Sequence, residues 1–177
     1  RMEKIEMRIY TCAAITLLAL LAASASAAED STSIKDGEDV LLRTMQVVAD
    51  ANETSDGQSE MLIWNGFVEN FDYEGEILNK TLLGNMTSEE AMTATAALLT
   101  LNSFGLAEAE KVKPGETYAD FYNYSINAMT YFNVYLFNMA KIFETGDARY
   151  TQEARDAFNI TMDYYTQGKD EADFLYD

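Results

Sequence analysis

Apolar residues recur along this chain at helical intervals, and no stretch alternates in the two-residue period of a half-buried strand. Two stretches carry the pattern most strongly. Met61, Trp64, Val68, Phe71, Gly75, Leu78 and Leu82 follow one another at alternating steps of three and four. So do Tyr118, Tyr122, Ser125, Met129, Phe132, Leu136, Met139 and Phe143. Such steps keep one face of a helix toward one neighbour, and they mark the seams of antiparallel bundles.

Weaker patterns predict three more helices. One covers about 38–51, with Leu41, Met45 and Val48 inward. Another starts after Thr87, where Glu90 completes a capping box. The last carries Ala154, Phe158, Thr161 and Tyr165 on one stripe. Gly84, Gly105, Gly146 and Gly168 stand where helices are expected to stop, because a left-handed residue closes the last turn. Pro114 lies in the connection before the aromatic helix. The expected fold is therefore all-α: an antiparallel up-and-down bundle of four to five helices at about 38–51, 60–83, 88–104, 116–144 and 148–167.

The first residues carry a different signal. From Met7, MRIYTCAAITLLALLAASASAAED has a basic start, an apolar run and small residues, with Ala25-Ser26-Ala27 as a cleavage site. The apolar run is shorter than the roughly 18 residues a spanning helix needs. Residues 1–27 are thus expected to be a secretory signal peptide starting at Met7. Residues 28–36 are read as a flexible arm and 37–177 as one domain. Cys12 departs with that leader, so the mature chain is expected to be cysteine-free and its location secreted or cell-surface-associated.

Charge narrows the partners. The chain has 30 acidic and 12 basic residues, a net charge of −18. A field of that sign repels phosphate backbones and anionic headgroups, so neither nucleic acid nor an anionic membrane surface is an expected partner. The chain has no histidine, which removes Ser–His and Cys–His nucleophile pairs and the usual zinc and di-iron sites. No phosphate-cradling glycine loop and no calcium loop is present. No cofactor, metal site or catalytic residue is therefore predicted. Carboxylates remain: Glu69, Asp72 and Glu76 share a face that Lys80 continues, and the tail holds Asp170, Glu171 and Asp173. The face reads as solvated surface and the tail as a frayed end. A carboxylate-only hydrolase is the enzymatic alternative.

The positive motif is N-x-[ST], which occurs at Asn52, Asn79, Asn85, Asn123 and Asn159. After an export signal, five such triplets mark candidate glycosylation sites. The aromatic stretch 118–143 supplies the other candidates. Its back carries Ile126, Thr130, Val134 and Phe137, while Tyr122, Tyr131 and Tyr135 lie on or beside its main apolar face. Three readings stay open. The helix is central with two packed faces, or the back strip is an interface for a partner or second copy, or the tyrosines line a small-molecule pocket. The sequence thus predicts an exported, acidic, N-glycosylated bundle with a non-catalytic extracellular interaction or structural role. The alternative is a ligand-binding or sensor-like module.

Overall fold

The computed structural model describes residues 58–176. The expected leader, the arm, the helix at 38–51 and Asn52 lie outside the described residues. Four α-helices follow in order: α1 Gln58–Leu82, α2 Ser88–Ala109, α3 Ala119–Thr145 and α4 Arg149–Tyr176. A 3-10 turn, Glu116–Tyr118, leads into α3. Each helix runs antiparallel to the one before it, and no strand occurs among the described residues.

Local chemistry sets most of the ends. Gly84 stops α1 at φ +74°, where only glycine sits without strain. Its N–H donates to the Thr81 carbonyl at 3.1 Å, and that of Asn85 reaches the Lys80 carbonyl at 2.8 Å. The two bonds form a Schellman closure. The predicted capping box opens α2: Glu90 N–H donates to Thr87 Oγ1 at 3.2 Å, and Thr87 N–H to Glu90 Oε2 at 2.8 Å. Gly146, at φ +65°, ends α3. Asp147 then starts α4 by accepting the Arg149 N–H at 2.9 Å.

Two glycines have other roles than the expected stops. Gly105 lies inside α2, buried against α3, where an added Cβ would stand 3.3 Å from Met129 Cε. Gly168 lies inside α4, so that helix continues through the acidic tail to Tyr176 instead of fraying. At Gly168 the Trp64 ring occupies the space of a side chain, whereas at Gly105 a Cβ would need only the flexible end of Met129 to give by a few tenths of an ångström.

α3 is the hub, packing against α1, α2 and α4. It buries Phe121, Ser125, Met129, Phe132 and Leu136, most of the predicted stripe. The seam with α4 is long because α4 presents small residues: Ala154, Ala157 and Thr161 are all buried. α1 meets α4 through rings rather than close backbones. Trp64 stacks on Tyr165 with centroids 5.4 Å apart, and Phe71 on Phe158 at 5.9 Å. Phe67 joins them, edge-on to Phe132 at 5.8 Å.

The buried face of α1 differs from the predicted stripe. Leu82 is exposed, as is Gly75, while the deeply buried positions are Glu60, Ile63, Trp64, Phe67, Asn70, Glu74 and Ile77. A helix touching three neighbours needs an apolar arc wider than one stripe. Ile63, Phe67 and Ile77 supply it, and the wider arc takes in two glutamates and an asparagine.

Candidate functional site

The outer face of α3 leaves apolar side chains in solvent, as do Leu82 and Leu83 at the end of α1 and Phe174 near the end of α4. Residues 121–140 contain no charged side chain in a chain of net charge −18. On the face turned from the core, Val134 is 45% exposed and Phe137 49%. Thr130 beside them is exposed and Ile126 half-buried. The polar groups here bond their own helix: Thr130 Oγ1 donates to the Ile126 carbonyl at 2.7 Å, and Asn127 Nδ2 to the Asn123 carbonyl at 2.7 Å. Side-chain donors that would otherwise seek water are therefore occupied within the helix. Lys141 ends the strip, bonded to Glu144 at 2.6 Å. The predicted interface residues thus share one face, on which Thr130, Val134 and Phe137 are exposed and Ile126 is half-buried, and among the described residues no other helix covers it.

The three tyrosines do not line one space. Tyr122 belongs to the α2–α3 seam, its hydroxyl donating to the Ala109 carbonyl at 3.0 Å. Burial pushes that phenol up, helped by the charges of Glu110 and Glu60. Tyr131 belongs to the α3–α4 seam and stacks on Tyr164 with centroids 6.0 Å apart. Tyr135 is buried, stacked on Phe132 and tilted against Phe158 at 5.4 Å. Its phenol is pushed up by burial and then by Glu74.

The described sequon asparagines all face solvent, while the buried asparagines all lie outside such triplets. Asn79, Asn85, Asn123 and Asn159, each in an N-x-[ST] triplet, are all exposed. Asn70, Asn102 and Asn138, outside such triplets, are buried. Asn102 stitches α2 to α3, its Nδ2 donating to the Met129 carbonyl at 2.8 Å and to Asn133 Oδ1 at 3.0 Å. Sequon hydroxyls are engaged locally. Ser125 Oγ donates to the Phe121 carbonyl and Thr161 Oγ1 to the Ala157 carbonyl, each at 2.9 Å.

Glu74 is the chemically unusual group, and the sequence pattern did not single it out. It is 2% exposed, and Thr95 Oγ1 donates to its Oε2 at 3.0 Å. Its Oε1 is buried and accepts no hydrogen bond from the described residues. Burial pushes its pKa up to about 8, against the lowering pull of Thr95. A carboxyl there is largely protonated at neutral pH, because desolvation penalises the charged form. The signal that could have found it is the set of apolar residues missing from the single stripe. Placing Ile63, Phe67 and Ile77 inward forces Asn70 and Glu74 inward with them.

Glu60, the other buried carboxyl of α1, lies fourteen residues from Glu74. At 1.5 Å per residue that is about 21 Å, well beyond the roughly 5–9.5 Å of a glycosidase pair. Glu69, Asp72 and Glu76 are exposed, with Lys80 3.6 Å from Glu76. Among the described residues no cluster of three or more His, Cys, Asp or Glu is placed to hold a metal. No described helix is long and apolar enough to cross a membrane. No family model, curated protein or solved structure matches this chain.

Proposed function

We propose that this chain is an exported, N-glycosylated helical bundle that acts by binding a partner through the outer face of α3, without catalysis of its own. The observation that carries the reading is the uncharged strip of Thr130, Val134 and Phe137 on a strongly acidic protein. Exposed apolar surface rimmed by polar groups is a common mark of interaction sites. Flanking charge repels most anionic competitors, so the strip favours a partner with an apolar patch of its own. Export rests on the leader at 7–27, and glycosylation on the exposure of the four described sequon asparagines.

Photo-crosslinking in cells that export the protein tests the binding claim. A photoreactive residue at position 137 should give a discrete adduct that is absent when the same group replaces Glu76 on the solvated face of α1. Equal labelling from both positions would sink the reading. Intact-mass measurement of the exported chain tests the rest. A mass equal to the bare sequence from Ala28 removes the glycans from the proposal, and a chain that retains residues 7–27 removes the cleaved leader.

A further inference from the structure

Glu74 sits where three helices meet. Its own helix places Asn70 one turn earlier, α2 presents Thr95, and α3 presents Tyr135, the titratable side chain that the Glu74 charge reaches. On the α4 side the next layer is Phe158, packed on Tyr135. Thr95 is its hydrogen-bond partner, and no charged group among the described residues shifts it. Neutral, the carboxyl fits this environment at far lower cost than the charge does. Ionised, it is a buried charge stabilised by one hydroxyl, an arrangement that relaxes by moving the charge to water.

The ways the helices are joined decide what moves. α2 is stitched to α3 by Asn102 and Tyr122, and α4 is seated on α3 by small residues. α1 touches α4 through rings instead of close backbones, and its face toward α2 and α3 carries the buried carboxyl. We propose that Glu74 is a proton-operated latch: as a neutral acid it lets α1 seat on α2 and α3, and loss of its proton to solvent releases α1 from the other three helices.

The direction follows from linkage. Released, the carboxyl titrates near its ordinary 4.5; seated, near about 8. Release is therefore favoured on the order of several hundredfold more at pH 8 than at pH 5. Trp64 reports the event, because it is the sole tryptophan, lies on α1, and contacts Phe121 and Tyr165 of the other helices.

The experiment follows Trp64 emission and far-UV circular dichroism of the full chain from pH 5 to pH 9. A red shift that grows with pH while helix content holds, and is absent in Glu74→Gln, supports the latch. An unchanged emission, an equal shift in Glu74→Gln, or a red shift accompanied by loss of most helix overturns it. If Glu74→Gln does not fold, Thr95→Val decides. That variant keeps the carboxyl but removes the bond that favours its charged form, so the transition should move to lower pH. An unmoved transition overturns the proposal.

Discussion

Trp64 packs on Gly168 so closely that a methyl group on that glycine would stand 2.6 Å from Trp64 Cζ3. The ring has no room to retreat, being held by Phe67, Phe121 and Tyr165 at centroid distances of 5.4–5.7 Å. Gly168→Ala should therefore destabilise the fold although alanine is the better helix former. Overpacking costs about 1–3 kcal/mol and the propensity gain offsets about 1 of it. A lower melting temperature with altered Trp64 emission is the expected result; an unchanged or higher one would show that the ring can move.

Phe132 and Phe137 test the two sides of α3. Phe132 is fully buried, and Phe132→Ala should cost about 3–5 kcal/mol. Phe137→Asp, on the exposed strip, should change stability by no more than about 0.5 kcal/mol while abolishing the proposed partner adduct. Denaturant melts measure the first difference and crosslinking the second.

Glu74 gives stability an alkaline slope. Its pKa is raised in the folded state, so its contribution is complete below its ordinary 4.5 and falls away as pH climbs toward about 8. Glu74→Gln should match the wild type near pH 5. It should exceed it at pH 8 by a few kcal/mol, since a tenfold change in proton affinity is worth about 1.4 kcal/mol. Urea melts at the two pH values compare them, and a variant less stable at pH 8 would contradict the burial argument.

Glu90 gives an opposite, weaker acid slope. The Thr87 backbone N–H and then its hydroxyl hold the Glu90 carboxyl below its usual range. Its contribution is present above the ordinary carboxylate pKa and is lost as pH falls through the depressed one. Thr87→Ala should cost about 1 kcal/mol near neutrality, and less in acid where the box is already weakened. Circular-dichroism melts at pH 7 and pH 3 supply the comparison.

Net charge makes the whole bundle salt-sensitive. Self-repulsion at −18 is screened as ionic strength rises, so melting temperature should climb across a salt series. A flat response would mean that the acidic groups stand too far apart to matter.

Features written in local chemistry were legible in the sequence. The Thr87–Glu90 box and the stops at Gly84 and Gly146 depend on residues a few positions apart, so the string itself contains them. Gly105 and Gly168 have the same composition signal but are packed against Met129 and Trp64, which belong to other helices. Glu74 was hidden for a related reason. Polar residues are read outward by default, and only the three-sided contact of α1 turns this one in. For α3 the strip was legible as a face. Its exposure, rather than its burial under another helix, depended on where α1, α2 and α4 came to rest.

The hydroxyls of Ser125 and Thr161 are turned back onto carbonyls of their own helices and buried there. A transferase that must grip an extended N-x-[ST] segment cannot find one at Asn123 or Asn159 once α3 and α4 have wound. On the proposed glycosylation, a sugar at either asparagine would have to be added before its helix coils. Occupancy at the two positions would then record how long each segment stays unwound.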